Sequence, residues 1–156
     1  MELTMKREQT SLQNILLMED DPEVVEFMLK ALDEKGLATR VAVVENGEEA
    51  LNYLYRRGKY EARAGGDPVA VWLNNKVPQV DGLEVLKAIK ADERLKIVPV
   101  VVLTSSRETP PLVEFYKHGV NACVVKPADG TEFRRVIEHL GIFWGAINEP
   151  PPLHPG

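Results

Sequence analysis

Polar residues able to bind a metal ion or a phosphoryl group follow the short apolar segments of this chain. They are Glu19 and Asp20 after the first segment, Asn74 after the third, Thr104 after the fourth and Lys126 after the fifth. Two neighbouring carboxylates suit a hard divalent cation such as Mg²⁺, which prefers oxygen ligands. A hydroxyl and an ammonium group suit the oxygens of a phosphoryl group. Each feature is weak evidence by itself, but together they indicate one site for phosphoryl chemistry.

The apolar segments alternate with amphipathic helical patterns. The predicted strands are 15–18, 39–44, 69–73, 99–103 and 122–125. The central segment 69–73 is apolar without a break, which is typical of a strand covered on both faces. Five strands alternating with five helices predict an α/β fold with a doubly wound, five-stranded parallel sheet. If the first strand lies between the second and the third, the polar residues named above meet at one crevice.

Capping residues predict where the helices begin and end. Asp21 is placed to cap the first helix, Pro22 suits its first turn, and Gly36 marks its end. Gly58 marks the expected end of the second helix, and the last helix is expected from about Thr131.

Length and composition restrict the function further. At 156 residues the chain fits one domain, placed at 14–147 between an N-terminal tail at 1–13 and a proline-rich tail at 148–156. The net charge of −5 argues against a nucleic-acid or anionic-membrane partner. No apolar run approaches the ~20 residues needed to cross a bilayer. The single Cys123 cannot form an internal disulfide, so we expect a cytoplasmic protein.

Several motifs resemble the receiver domain of two-component response regulators. They are the segments 15–22, 77–82, 102–105 and 125–127. The resemblance covers about residues 14–145 and implies the flavodoxin-like receiver fold. It also implies descent from domains that took a phosphoryl group from a sensor histidine kinase onto an aspartate.

Finer features are similar to stand-alone receivers paired with bacterial and cyanobacterial phytochrome kinases. These features are the loop 59–67, the pair Phe143 and Trp144, and the proline-rich tail. This similarity implies a phytochrome-type histidine kinase as partner and a homodimer formed by the final helix and tail. We therefore expect Phe143 and Trp144 at a dimer interface. The similarity also leads us to expect no DNA-binding output domain.

The resemblance also implies a role for each residue of the site. Glu19 and Asp20 match the acidic pair that holds Mg²⁺, and the backbone carbonyl of Lys76 matches the group that completes the metal site. Thr104 matches the switch hydroxyl, and Lys126 matches the lysine that pairs with the phosphoryl group.

The phospho-acceptor position is occupied by Asn74 instead of an aspartate. A carboxylate is a charged nucleophile able to form an acyl phosphate, whereas an amide oxygen is neutral. We therefore predict that phosphotransfer is impaired. Mg²⁺ is expected to bind weakly or not at all, because the site lacks one unit of negative charge. We also predict that Lys76 or Lys126 pairs with Glu19 or Asp20 in the metal's place.

Three explanations of Asn74 are compatible with the sequence. The chain is a natural receiver that signals without phosphorylation, an engineered variant in which an aspartate was replaced, or a receiver whose asparagine deamidates to aspartate. The clustered departures at Asn74, Asn75 and Lys76 favour the first explanation.

The leading function is a single-domain response regulator that acts by protein–protein interaction and is not an enzyme. The alternative is a small-ligand-binding or enzymatic protein on the same flavodoxin-like fold. Against the alternative, the sequence has no glycine-rich phosphate loop before a helix. None of the three histidines follows a predicted strand of the crevice.

Overall fold

The structure, a computed structural model, describes residues 14–74, 82–104 and 109–152. The carbonyl of Lys76, which is predicted to complete a metal site, lies outside these residues. No helix in the described part of the chain is both long enough and apolar enough to cross a membrane.

The described residues contain one five-stranded parallel sheet. Its strands are β1 (Ile15–Met18), β2 (Val41–Val44), β3 (Ala70–Asn74), β4 (Val100–Thr104) and β5 (Ala122–Val125). Their order is β2-β1-β3-β4-β5, so β1 lies between β2 and β3. In register, Leu17 of β1 lies beside Val43 on one side and Trp72 on the other. The predicted fold and strand order are confirmed.

The boundaries of three strands differ from the sequence prediction. Residues Ala38–Arg40 form a 3-10 helix, so β2 begins only at Val41. Strands β3 and β4 each begin and end one residue later than predicted, which makes Asn74 and Thr104 the last residues of their strands. The two polar side chains therefore belong to the sheet itself and share its burial.

Five α-helices connect and cover the strands in the described residues. They are α1 (Pro22–Asp33), α2 (Gly47–Tyr55), α3 (Gly82–Ala91), α4 (Thr109–Lys117) and α5 (Gly130–Ile142). Asp21 caps α1 as predicted, and its carboxylate accepts a hydrogen bond from the Glu23 amide at 2.9 Å. The predicted end of α2 at Gly58 is wrong, because Arg56 already adopts the left-handed conformation (φ 57°) after Tyr55.

The core has two halves, one on each face of the sheet. On one face α1 and α5 cover a cluster that includes Leu17, Trp72 and Ile137. On the other face the remaining helices cover a cluster that includes Leu73 and Leu86. Trp72 is fully buried although it lies two residues before the polar end of β3. The sheet therefore holds the strand ends on a rigid support.

Arginines anchor the long connection that leads into β3. Arg94 donates hydrogen bonds to the buried carboxylate of Asp67 at 2.7 Å and to the Leu54 carbonyl at 2.9 Å. Arg63 donates to the Tyr53 carbonyl at 2.8 Å and lies over the Tyr53 ring at 4.0 Å from its centroid. These contacts tie the loop to the end of α2, which the sequence prediction of a plain polar loop missed.

Helix α5 lies very close to α1 at Gly141, which is buried. A Cβ atom at this position would overlap Leu32 Cδ2 and would lie 3.1 Å from Leu37 Cδ1. An ion pair between Arg134 and Glu34 joins the same two segments. Leu32 is fully buried, so it has little room to move aside. Glycine therefore sets the distance between the two helices.

Replacing Gly141 by alanine is expected to lower the free energy of unfolding by about 2 kcal/mol, because overpacking outweighs the gain in helix propensity. Gly130→Ala is the matched control in the same helix, since a Cβ there meets no atom within 4 Å. Urea denaturation of both variants measures the difference. Equal stability of the two variants would contradict the close contact between α1 and α5.

Candidate functional site

Three polar side chains are buried at the carboxyl edge of the sheet. Glu19 follows β1, whereas Asn74 and Thr104 end β3 and β4, and their exposed fractions are 3%, 7% and 1%. Lys126 follows β5, and 18% of its side chain is exposed. Because these strands are neighbours in the sheet, the fold places the four residues at one crevice, as predicted.

The carboxylate of Glu19 is the centre of the contacts in this crevice. Asn74 Nδ2 donates a hydrogen bond to Glu19 Oε1 at 2.6 Å. Lys126 Nζ lies 3.7 Å from the same oxygen. The backbone amide of Asp21 donates to Glu19 Oε2 at 3.1 Å. Both oxygens of Glu19 are thus engaged by groups of the chain itself. Of the pairings predicted between Lys76 or Lys126 and Glu19 or Asp20, the described residues contain that of Lys126 with Glu19.

Backbone hydrogen bonds fix the positions of these residues. The Glu19 amide donates to the Val44 carbonyl at 2.9 Å, which extends the pairing of β1 with β2 by one residue. The Lys126 amide donates to the Thr104 carbonyl at 2.7 Å and extends the pairing of β5 with β4 in the same way. The site therefore has a rigid backbone around the buried Glu19 carboxylate, whose negative charge is balanced by Lys126.

Asp20 differs from its neighbour Glu19 because it is exposed. The sequence predicted that the two acids act as a pair, but the crevice contacts described above involve only Glu19. The Asp21 amide was missed by sequence reasoning as a partner of Glu19. The signal that could have indicated it is the tight turn that Asp21 and Pro22 make at the start of α1.

A comparison with known protein families identifies residues 15–138 as a response regulator receiver domain. The match spans most of the chain and includes every residue of the crevice. The chain belongs to the response regulator receiver family. Receiver domains act in two-component signalling, and their fold is the one found here.

Individual relatives of this receiver come from different signalling contexts. The probable methanogenesis regulatory protein FilR2 of Methanothrix harundinacea is 34% identical over 137 residues, which cover 88% of this chain and 86% of the relative. The solved bacteriophytochrome response regulator AtBRR is 50% identical, with a TM-score of 0.69 and coverage of 88% and 98% of the two chains. The Mn²⁺-bound form of response regulator Rcp1 is 27% identical, with a TM-score of 0.80 and coverage of 89% and 99%.

Receiver domains typically bind Mg²⁺ or Mn²⁺, and in the described residues of this receiver other groups of the chain already contact the carboxylate of Glu19. An amide N–H and an ammonium group already face Glu19 Oε1, where a cation would have to approach. Glu19 Oε2 accepts the Asp21 amide. In residues 14–74, 82–104 and 109–152, no three acidic, histidine or cysteine side chains are close enough to hold a metal ion.

The carboxyl end of the receiver carries an aromatic pair outside the crevice. Residues Phe143–Ile147 form a π-helical turn directly after α5. Phe143 is 44% exposed and packs edge-on against Trp144, with ring centroids 5.0 Å apart. Trp144 is half-buried against the α1/α5 half of the core. Phe143 and Ile147 are thus left at the surface, whereas Trp144 anchors the turn.

Proposed function

We propose that this chain is a response regulator that works with a phytochrome-type histidine kinase and signals through docking rather than through phosphorylation of Asn74. The 50% identity to a bacteriophytochrome response regulator supports the choice of kinase. The net charge of −5 supports a protein partner rather than a nucleic acid. We also propose that the protein acts in the cytoplasm and is not an enzyme.

The hydrogen bond from Asn74 Nδ2 to Glu19 Oε1 is the observation that supports this proposal most strongly. An acceptor aspartate presents a charged oxygen to the incoming phosphorus atom, and the reaction depends on charge stabilisation around that oxygen. Asn74 instead presents an N–H donor to a buried carboxylate. An amide lacks the charge for the attack, and the contact with Glu19 holds it in place.

Weak or absent Mg²⁺ binding is the second part of the proposal. Lys126 supplies a positive charge 3.7 Å from Glu19, and the Asn74 amide supplies a donor. The two groups together compensate Glu19, so the site gains little from adding a divalent cation. Asp20 remains as an exposed carboxylate, and surface carboxylates by themselves bind Mg²⁺ weakly.

The proposal is tested with the unmodified full-length chain. After incubation with Mg²⁺ and acetyl phosphate, intact mass spectrometry is expected to show no added phosphoryl group. In parallel, a phytochrome kinase is immobilised, and binding of the chain is measured with and without ATP. We expect equal binding in the two conditions. A phosphorylated chain, or binding that requires ATP, would refute signalling by docking alone.

We also propose that the chain forms a homodimer through the surface around Phe143 and Ile147, which are 44% and 62% exposed. Aromatic side chains, including phenylalanine, are enriched at protein–protein interfaces relative to the rest of the surface. Phe143→Asp is expected to give the mass of a monomer in light scattering, where the unmodified chain gives that of a dimer. Val113→Asp is the matched control, because Val113 is similarly exposed at 42% but lies on α4. A monomeric unmodified chain, or a dimeric Phe143→Asp variant, would refute the interface.

A further inference from the structure

A cleft with a volume of about 640 Å³ lies between α1 and the edge strand β2. Its apolar wall is formed by Pro22, Val25, Leu29, Ala38 and Val43. Strand β2 pairs only with β1 within the described sheet, so no further strand covers this edge. The cleft is large enough for one or two apolar side chains of a bound segment.

The cleft lies on the side of α1 that faces away from α5. Phe27 stacks on Phe133 of α5, with ring centroids 5.4 Å apart. Val25 precedes Phe27 by two residues, which places it about 200° away around the helix axis. The packing of α1 on α5 therefore leaves the Val25 and Leu29 side available to another molecule.

The rim of the cleft is strongly acidic. Asp20, Glu26, Asp33 and Glu45 are all exposed, and within the described residues none of them has an ion-pair partner. Lys30 is the cation that the cleft lining contributes. These four carboxylates come from the end of β1, from α1 and from the end of β2, and they do not converge on a metal site. Such a spread of negative charge suits a molecule with several separated positive charges.

We propose that this cleft docks a segment of a partner protein in which one or two aliphatic side chains are flanked by lysine or arginine. The aliphatic groups fill the apolar wall, and the cationic groups face the acidic rim. The inference is independent of the proposed function, because it does not involve Asn74 or Phe143. Glu19 lines the cleft and also belongs to the crevice, so a docked segment lies next to the crevice.

The test follows backbone amides by two-dimensional NMR while three capped synthetic peptides are added to the full-length chain. The basic apolar peptide KLLKLK is expected to shift the amides of Val25, Leu29 and Val43. The acidic peptide ELLELE and the basic polar peptide KSSKSK are expected to leave them unchanged. Equal shifts with KSSKSK would show an electrostatic attraction without apolar docking and would overturn the proposal. No shift with millimolar KLLKLK would overturn it as well.

Charge-reversal variants test the rim. We expect Glu26→Lys combined with Glu45→Lys to weaken binding of KLLKLK roughly tenfold, since two attractive charges become repulsive. Glu61→Lys combined with Glu93→Lys makes the same change in net charge at exposed positions away from the cleft and is expected to have no effect. Equal weakening in both double variants would refute a specific role of the rim.

The occupant itself is tested with Lys6→Glu combined with Arg7→Glu in the full-length chain. Unchanged cleft amides in this variant support a segment of another protein as the occupant. Shifted cleft amides would identify the chain's own N-terminal residues as the occupant and would overturn the proposed partner.

Discussion

Replacing Asn74 by aspartate is expected to make the chain accept a phosphoryl group from acetyl phosphate in the presence of Mg²⁺. The substitution introduces a carboxylate at the end of β3, next to the strand that ends at Thr104. Lys126 follows β5, one strand further, and contacts the same Glu19 oxygen as Asn74. Lys126 would then have two carboxylates to neutralise, and its free N–H groups can donate to phosphoryl oxygens. We expect stoichiometric addition of one phosphoryl group, measured as a mass increase of the intact protein.

Two further variants give this experiment its controls. Asn74→Ala removes the amide without adding a nucleophile and should gain no mass. Asn74→Asp combined with Lys126→Ala keeps the nucleophile but loses the ammonium group. Its phosphorylation should be about a hundredfold slower, because removing one group that stabilises the charge of a transition state typically has an effect of this size. If Asn74→Asp also gains no mass, the crevice as a whole has lost its competence, and the amide is not the sole obstacle.

The same substitution is expected to make folding stability depend on Mg²⁺. In the unmodified chain, Asn74 donates to Glu19 at 2.6 Å; in Asn74→Asp, two carboxylates face each other in a buried crevice. A lost hydrogen bond to a charged group and the new repulsion should together lower the free energy of unfolding by about 3 kcal/mol without metal. Lys126 offsets only part of this loss. A bound Mg²⁺ adds stability in proportion to the logarithm of its concentration, about 2.7 kcal/mol at a hundred times its dissociation constant.

Urea denaturation in EDTA and at increasing Mg²⁺ measures this effect. The unmodified chain and Asn74→Ala should show little dependence on Mg²⁺, since neither has the second buried carboxylate. If the unmodified chain is stabilised by Mg²⁺ as strongly as Asn74→Asp, then Lys126 and the amide do not exclude the ion, and the second part of the proposed function is wrong.

The sequence predicted the sheet well because its strands are short, apolar and separated by clear helix signals. Strands β1 and β5 begin and end where their apolar runs do. The predicted boundaries were wrong where the local backbone conformation does not follow from the residue types. The β-branched run before Val44 begins as a 3-10 helix at Ala38–Arg40, and Arg56 rather than a glycine adopts the left-handed conformation at the C-cap of α2. Neither feature has a compositional signal.

At the crevice, the sequence predicted which residues lie together but not which of them form hydrogen bonds or ion pairs with each other. Strand ends and order were enough to bring Glu19, Asn74, Thr104 and Lys126 together. The sequence could not show that Asp20 turns to solvent while the Asp21 amide satisfies Glu19, since this depends on the turn that starts α1. The pairing of Arg94 with Asp67 was likewise unpredictable, because 27 residues separate the partners.

The close approach of α5 to α1 at Gly141 has a thermodynamic consequence for signalling. Because no space separates Gly141 from Leu32, the two helices are expected to shift together rather than slide past each other. One end of this pair carries the turn with Phe143 and Ile147, and the far side of α1 forms the wall of the acidic cleft. If the chain forms the proposed homodimer, any ligand that displaces α1 should therefore change its dimerisation constant, and dimerisation must change the affinity of that ligand by the same factor.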